Sequence, residues 1–262
     1  MSDNDQFQAR AAFFAWPAQQ ASSPALSIVI PMYNEDAGAA ALVQETTTAV
    51  NDLACEIIVV DDGSTDSTLA ALTALKPSVP NLRVIAHGRN AGQSRAIRSG
   101  VIAARAPIVA TLDGDGQNDP ADIPFALETL RAQSAEVGLA MVAGQRLKRQ
   151  DSAAKKWASQ FANGLRRRIL NDDAIDTGCG LKVFYREAFL RLPYFDHAHR
   201  YLPALMQREG YLVDFISVSH RPRLHGQSKY DNLGRLLVAV RDLLGVLWLK
   251  GRSRQPETIR EV

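Results

Sequence analysis

Cysteine is scarce in this sequence, and the two that occur match no metal-binding or disulfide pattern. Among 262 residues only Cys55 and Cys179 are present. Cys55 begins an apolar run and Cys179 lies between two glycines, so neither belongs to a C-x-x-C pair. These features exclude a disulfide-framed chain and favour a reducing, cytosolic environment.

Long hydrophobic runs are also missing. The most apolar stretch, 233–249, is interrupted by Arg235, Arg241 and Asp242. Its longest unbroken part, Leu243–Leu249, has seven residues, whereas a membrane-spanning helix needs about 20. The N-terminus does not match a signal peptide, because acidic residues precede its short apolar patch. We therefore expect no membrane span, and a flexible leader over residues 1–25.

A third absence concerns glycine. The segment at the end of the first predicted strand, Pro31-Met32-Tyr33-Asn34-Glu35, contains no G-x-G-x-x-G run. A dinucleotide-binding domain carries that run at this place, because its glycines let the backbone approach a pyrophosphate. This absence argues strongly against a nicotinamide-dependent enzyme.

The first 145 residues do contain a regular alternation of two kinds of segment. Apolar runs that predict strands are followed by segments whose composition and capping residues predict helices. The strands are predicted at 26–31, 56–61, 82–86, 108–112 and 139–143. Such alternation indicates an α/β fold, with a mostly parallel sheet covered by helices on both faces. We assign this domain to residues 26–230, followed by a C-terminal amphipathic helix and basic tail at 231–262.

Polar turns follow three of the predicted strands, at 33–35, 61–64 and 113–115. In a parallel sheet the binding site lies beyond the carboxyl ends of the strands, so we expect these turns to converge. Asp113 and Asp115, one residue apart on a tight turn, suit Mg²⁺ or Mn²⁺ and leave coordination positions open for a diphosphate. The alternative for each acidic turn is a structural one, in which the side chains cap the following helix.

An EF-hand calcium loop can be excluded for the acidic turn after the fourth strand. If Asp113 is taken as the first position of such a loop, the glycine of the sixth position is replaced by Asn118. The glutamate of the twelfth position is replaced by Pro124.

Positive charge is concentrated in the second half of the chain, although the net charge is only +2. Between residues 145 and 170, eight basic residues stand against one acidic residue, Asp151. Such a cluster suits a phosphate-rich partner, and its alternative is a solvated helix face. Nucleic acid is disfavoured as the partner, because the basic clusters lack interleaved aromatic residues for base stacking.

In order and spacing, the three polar turns resemble the motifs of family 2 glycosyltransferases with the GT-A fold. Later segments extend the match, at 144–146, 159–163, 176–180 and 223–230. Over about residues 26–245 the set is similar to the dolichol-phosphate mannosyltransferase branch, which makes polyprenyl-phosphate sugars. The resemblance implies an inverting enzyme that moves a hexose from GDP-mannose or a UDP-hexose to undecaprenyl or dolichyl phosphate.

The resemblance also implies roles for the matching residues. The pocket for the base and ribose would be lined by Pro31, Tyr33, Glu35, Asp61 and Asp62. The cation, Mg²⁺ or Mn²⁺, would be held on the nucleotide diphosphate by Asp113, Asp115 and Gln117. The phosphates would be covered by a loop carrying Arg223, Ser228 and Lys229. The acceptor phosphate would face Arg146, Lys156 and Ser159. The implied catalytic residues are Asp115, Arg146, Arg223 and Lys229.

The chemistry of the acceptor favours a lipid phosphate. A sugar hydroxyl needs a general base, and the Gln-x-x-Arg-Trp segment that accompanies it in chain-elongating relatives is absent here. A lipid phosphate is already anionic and needs only charge neutralisation, which the basic cluster at 145–170 can supply. One alternative is transfer to a saccharide hydroxyl in cell-envelope polysaccharide synthesis, with Asp119 or Asp176 as the base. The other is a non-catalytic protein that binds nucleotide sugars and docks on a membrane.

The C-terminal segment predicts an amphipathic helix with two interpretations. Its leucines and valines share one helical face, and basic residues follow at Lys250, Arg252 and Arg254. The helix either packs on the core or lies on anionic lipid. Relatives often continue into transmembrane helices at this point. We therefore expect a peripheral protein on the inner face of the cytoplasmic membrane, or one recruited by a separate integral membrane partner.

Overall fold

The computed structural model describes residues 24–146, 170, 174, 176, 178–222 and 232–254. Seven strands in this part of the chain form one sheet. They are β1 (Leu26–Met32), β2 (Cys55–Asp61), β3 (Leu82–Ala86), β4 (Ile108–Thr111), β5 (Leu139–Gln145), β6 (Lys182–Tyr185) and β7 (Leu212–Ser217). Their order across the sheet is β3-β2-β1-β4-β6-β5-β7.

The sheet is mostly parallel, as the sequence predicts. β1 to β4 run parallel to one another, and β7 runs parallel to β5. β6 is antiparallel to both β4 and β5, between which it lies. This inserted strand brings residues from the second half of the chain next to the end of β4.

Seven α-helices accompany the sheet within the described residues. They are α1 (Asp36–Ala49), α2 (Thr68–Leu75), α3 (Gln93–Ala103), α4 (Ile123–Val137), α5 (Arg186–Arg191), α6 (Leu202–Arg208) and α7 (Asn232–Gly251). Short 3₁₀ turns precede α4 and α6, at Pro120–Asp122 and Ala198–Tyr201. The helix predicted over 155–170 lies outside the described residues except for Leu170, which is helical and buried.

The core follows from the continuous apolar strands. Every residue of β1 and all but the first of β2 are buried, because helices cover both faces of the sheet. Each fully buried valine or isoleucine contributes roughly 1.5–3 kcal/mol to stability. α3 lies so close to the sheet that a Cβ on Gly100 would meet Val29 Cγ1 at 2.4 Å.

The C-terminal helix α7 has two different faces. On the inner face Val246 is fully buried, with Leu243 and Leu247 packed against the core. On the outer face Leu244 and Trp248 are 61% and 62% exposed. The core-packing interpretation therefore holds for one side of the helix. In the part of the chain that the structure describes, this and every other helix is too short or too polar to cross a bilayer.

Candidate active site

The carboxyl ends of β1, β2 and β4 meet at one edge of the sheet, as expected for adjacent parallel strands. Met32, at the end of β1, is in register with Asp61, at the end of β2. The turn after β4 rests directly on β1, because a Cβ on Gly114 would lie 2.5 Å from the Pro31 carbonyl oxygen. Pro31 itself is buried within β1. The predicted convergence of the polar turns is therefore present.

The turns after β1 and β2 are fastened to each other by hydrogen bonds. The backbone N–H of Asn34 donates to Ser64 Oγ at 2.9 Å, and Asn34 Oδ1 accepts from the backbone N–H of Thr65 at 2.8 Å. Asn34 adopts a left-handed conformation with φ of 54°, which asparagine tolerates better than most residues. This arrangement fixes the half-buried Tyr33 and Glu35 beside the end of β2.

The Asp62 carboxylate is occupied by the protein itself. Four groups hydrogen-bond to it: His87 Nδ1 at 2.6 Å, Asn90 Nδ2 at 3.0 Å, and the backbone N–H groups of Ala91 at 3.0 Å and Gly92 at 2.8 Å. Asp62 thus holds residues 87–92 in place ahead of α3. Its predicted contact with the nucleotide stays a prediction, and the structure adds this positioning role.

Asp61 differs from its neighbour because one of its oxygens is available for a ligand. Oδ2 accepts a long hydrogen bond of 3.4 Å from the Ser64 backbone N–H. Oδ1 is buried and has no hydrogen-bond partner among the described residues. A buried acceptor without a partner is unfavourable, so an N–H or O–H donor from a bound ligand would stabilise it.

The acidic turn after β4 places two carboxylates side by side. Burial raises the pKa of Asp113 to about 6, and the nearby charge of Asp115 adds to that rise. Gln93 Nε2 donates to Asp113 Oδ1 at 2.7 Å, and the Gln117 backbone N–H donates to Asp115 Oδ1 at 3.1 Å. The turn is closed by Asn118, whose Oδ1 accepts from the Asp113 backbone N–H at 3.2 Å. The Asp113 carboxylate therefore carries negative charge that its surroundings do not fully compensate.

The segment leading into β6 lies against the Asp113 carboxylate. A Cβ on Gly180 would lie 2.3 to 2.5 Å from the carboxylate atoms of Asp113, so only glycine fits there without a shift. Two residues later Lys182 is 5% exposed, and its ammonium donates a hydrogen bond to the Cys179 carbonyl oxygen. Burial lowers the pKa of Lys182.

A cavity of about 160 Å³ opens beside Asp113. Its polar lining includes Gln93, Asp113, Lys182, His199 and Arg200. His199 accepts from or donates to Ser94 Oγ through Nδ1 at 2.7 Å. Burial holds the pKa of His199 well below its usual range, so its imidazole is neutral at pH 7.

Directly after β5, Arg146 forms a bidentate ion pair with Asp176. Arg146 Nε lies 2.5 Å from Asp176 Oδ2, and Nη2 lies 2.9 Å from Oδ1. The Gly178 backbone N–H also donates to this carboxylate at 3.0 Å. Although burial alone would raise it, the pKa of Asp176 is lowered by these hydrogen bonds and by the charge of Arg146. Arg146 is thus already engaged before any phosphate arrives.

A second arginine, Arg221, forms ion pairs with two acidic residues from the first half of the chain. Arg221 Nη1 lies 2.5 Å from Glu45 Oε1, and Nη2 lies 2.6 Å from Asp119 Oδ2. Its backbone N–H donates to the Gln117 carbonyl oxygen at 3.0 Å. Arg221 therefore ties the chain that follows β7 to α1 and to the acidic turn.

The sequence-predicted site residues fall into two groups, apart from Arg146, which is described and is paired with Asp176. Those at the strand ends are brought together: Pro31, Tyr33, Glu35, Asp61, Asp62, Asp113, Asp115 and Gln117. Five others lie outside the described residues: Lys156, Ser159, Arg223, Ser228 and Lys229. Sequence reasoning missed Gln93, Lys182 and Arg221. A lysine within the apolar run Leu181–Tyr185 was the one available signal for Lys182, because buried lysines are rare.

Comparison with known proteins assigns this arrangement to a family. A model described as "Glycosyl transferase family 2" matches residues 27–192. The dodecaprenyl-phosphate galacturonate synthase of Rhizobium johnstonii is 33% identical over 237 residues, 88% of this chain and 69% of that protein. The undecaprenyl-phosphate 4-deoxy-4-formamido-L-arabinose transferase of Pseudomonas fluorescens is 36% identical, over 84% of this chain and 63% of that protein. The chain thus spans about two thirds of the length of these relatives.

Solved structures agree on the fold. Glucosyl-3-phosphoglycerate synthase from Mycobacterium tuberculosis, in complex with UDP, superposes with a TM-score of 0.63 at 17% identity. The alignment covers 97% of this chain and 86% of that one. A complex of the same enzyme with Mn²⁺, UDP and phosphoglyceric acid gives the same TM-score over 96% and 83%. The predicted fold class, α/β of the GT-A type, is confirmed.

Proposed function

The chain belongs to glycosyl transferase family 2, and from that premise we propose that it transfers a sugar from a nucleotide diphosphate sugar to a polyprenyl phosphate. The observation that carries this proposal is the crowded pair Asp113 and Asp115, set at converging strand ends beside a cavity. The names of both curated relatives, which are polyprenyl-phosphate sugar transferases, support the acceptor class.

Asp113, Asp115 and Gln117 suit a divalent cation, Mg²⁺ or Mn²⁺. Their side-chain oxygens are ligands of the type these cations prefer. Burial and the charge of Asp115 raise the pKa of Asp113, and a cation would compensate this buried negative charge. Within the described residues no group of three or more His, Cys, Asp or Glu side chains is arranged to hold a metal. Oxygens of the donor diphosphate would complete the coordination. A bound cation would supply positive charge against the departing diphosphate.

The transfer itself exchanges one bond for another. The bond between the anomeric carbon and the diphosphate oxygen breaks as a bond to the lipid phosphate oxygen forms on the opposite face, which inverts the configuration. The lipid phosphate is already anionic, so no base has to remove a proton. The protein contributes orientation of the two substrates and neutralisation of their phosphates.

We assign the phosphates to basic and hydroxyl side chains from two parts of the chain. Arg223, Ser228 and Lys229 contact the donor phosphates, and Lys156 and Ser159 face the acceptor phosphate. Because Asp176 occupies Arg146 Nε and Nη2, Arg146 meets that phosphate through Nη1. The ion pair then also holds the arginine in a fixed orientation.

The two acidic residues considered as bases for a sugar hydroxyl are both engaged elsewhere. Asp176 is bound by Arg146, which lowers its pKa and weakens it as a proton acceptor. Asp119 accepts from the Ala121 backbone N–H and pairs with Arg221. These contacts favour the phosphate acceptor over a saccharide hydroxyl.

An acceptor comparison tests the proposal. Purified protein is given labelled nucleotide sugar, Mn²⁺, and one of three acceptors: polyprenyl phosphate, the matching unphosphorylated polyprenol, or a soluble saccharide. We expect label in the lipid extract with polyprenyl phosphate alone. Transfer to the saccharide instead, or donor binding without turnover on any acceptor, would contradict the proposal.

We also propose that the outer face of α7 lies on an anionic membrane surface. Val240, Leu244 and Trp248 recur every four residues and are 48%, 61% and 62% exposed. Arg241 and Arg252 are exposed beside them, and the Arg252 guanidinium lies 5.8 Å from the centre of the Trp248 ring. An apolar stripe with adjacent arginines matches a helix that rests at the lipid headgroups on the cytoplasmic side. A separate integral membrane partner is the alternative occupant.

Vesicle sedimentation distinguishes these occupants. We expect binding to phosphatidylglycerol vesicles, weak binding to phosphatidylcholine vesicles, and loss of binding in the double variant Leu244→Gln with Trp248→Gln. Phe125→Gln is the matched control, since Phe125 on α4 is 58% exposed. Equal sedimentation of the double variant and the wild type would rule out this lipid contact.

A further inference from the structure

The cavity beside Asp113 lies where the sugar of a bound donor is expected. The proposed function assigns Asp113 to the diphosphate, and the sugar is joined directly to that diphosphate. The cavity of about 160 Å³ is far larger than the roughly 10–15 Å³ that one water needs by this measure. It therefore has room for a substantial polar group of the substrate.

Lys182 is the unusual residue in the lining of this cavity. Its side chain comes from the inserted strand β6 and is 5% exposed, so its ammonium is largely removed from water. An ammonium has three N–H donors, and among the described residues this one donates a single hydrogen bond, to the Cys179 carbonyl oxygen. A buried charge with so few partners is unfavourable unless a ligand compensates it.

The carboxylates near Lys182 are already engaged. Asp176 accepts hydrogen bonds from both Nε and Nη2 of Arg146. Asp113 accepts from Gln93 and is the proposed ligand of the cation. Arg200, which is exposed, adds a second positive side chain to the cavity lining. A neutral hexose would leave the Lys182 ammonium with only these shared carboxylates as counter-charge, whereas a sugar carrying a carboxylate would provide one that is not shared.

We infer that Lys182 binds a carboxylate on the transferred sugar, so that the donor is a nucleotide diphosphate hexuronate rather than a neutral hexose. The inference rests on the proposed function, because it takes the diphosphate position from Asp113. It assigns Lys182 a role in substrate selection that is separate from the phosphate-binding residues.

Donors that differ only at the sixth carbon test this directly on the wild-type protein. The pairs are UDP-galacturonate with UDP-galactose, UDP-glucuronate with UDP-glucose, and GDP-mannuronate with GDP-mannose. For at least one pair we expect kcat/KM for transfer to polyprenyl phosphate to favour the hexuronate by about 100-fold, as for a lost hydrogen bond to a buried charge. Calorimetric binding with Mn²⁺ and no acceptor should show the same preference.

Substitutions then assign the preference to Lys182. In Lys182→Met, which keeps the length and removes the charge, the preference should fall below about 10-fold, while Lys182→Arg should retain most of it. Lys76→Met makes the same change at an exposed lysine at the C-terminal end of α2. It should alter neither the kcat/KM preference nor the binding preference for the hexuronate. If Lys182→Met does not fold, the wild-type donor comparison and the preference of Lys182→Arg still test the inference.

Three results would overturn the inference. One is a wild type that uses or binds the neutral donors as well as the hexuronates. Another is an unchanged preference in folded Lys182→Met. The third is a raised KM for polyprenyl phosphate in Lys182→Met with unchanged donor preference, which would assign the ammonium to the acceptor phosphate. Failure of the proposed function is distinguishable, because it abolishes transfer to polyprenyl phosphate but leaves donor preference measurable by binding.

Discussion

Two buried aspartates of the candidate site, Asp113 and Asp176, have pKa values shifted in opposite directions. Asp113 has a pKa raised to about 6, because burial and the charge of Asp115 outweigh the cations around it. Asp176 is also buried, but hydrogen bonds and charge from Arg146 hold its pKa below its usual range. Burial alone therefore does not mark a ligand site. The distinguishing feature is whether the protein has already compensated the carboxylate.

Removing the carboxylate of Asp115, which lies beside Asp113, should have the largest effect on transfer. Asp115→Ala should reduce transfer by about 10³-fold or more, because the cation that neutralises the departing diphosphate loses a ligand. The melting temperature should stay near that of the wild type. Asp52→Ala, at an exposed aspartate after α1, is the control and should keep full activity. Wild-type turnover by Asp115→Ala in metal-free buffer would refute the metal assignment.

Breaking the ion pair between Arg146 and Asp176 should lower the stability of the protein. Asp176→Ala leaves the Arg146 guanidinium without its partner, so the free energy of unfolding should fall by about 3–5 kcal/mol in urea titrations. The double variant Arg146→Met with Asp176→Leu should recover most of that loss, since neither charge is then buried alone. An Asp176→Ala protein as stable as the wild type would show that the pair is not a structural one.

The pH dependence of cation binding should report the raised pKa of Asp113, with a smaller effect than the two substitutions above. A cation competes with the proton on Asp113, so the Kd for Mn²⁺ in the presence of UDP should rise about tenfold per pH unit below about pH 6. The raised pKa also means that ionising Asp113 destabilises the folded state as pH rises from 3.8 to about 6. Asp113→Asn should remove that loss of stability, measured by urea unfolding. A Kd independent of pH between 5 and 7 would contradict the prediction.

Much of the fold was predictable because the first half of the chain is locally consistent. Continuous apolar runs separated by helical segments predict β1 to β5 within two residues of their observed bounds. The family resemblance, carried by the turns that follow these strands, is confirmed. The convergence of Asp61 and Asp113 at one edge follows from parallel strand order, which local patterns are able to predict.

What the sequence did not predict depends on contacts between distant residues. The antiparallel direction of β6 has no local signal in a four-residue strand, yet it places Lys182 next to the end of β4. The pairing of Arg146 with Asp176 joins residues 30 positions apart, and a basic residue near a phosphate motif looks the same with or without such a partner. The partners of Asp62 are likewise side chains and backbone groups from a later loop.

The lack of a side chain at Gly180 limits how donor specificity can be altered in the laboratory. Because the chain there touches the Asp113 carboxylate, Gly180→Ala would displace a group needed for every donor, whichever sugar it carries. Libraries intended to change the transferred sugar should therefore keep position 180 constant and vary Lys182, His199 and Arg200. Those three line the same cavity without crowding the acidic turn, so new preferences can be selected while the diphosphate end is preserved.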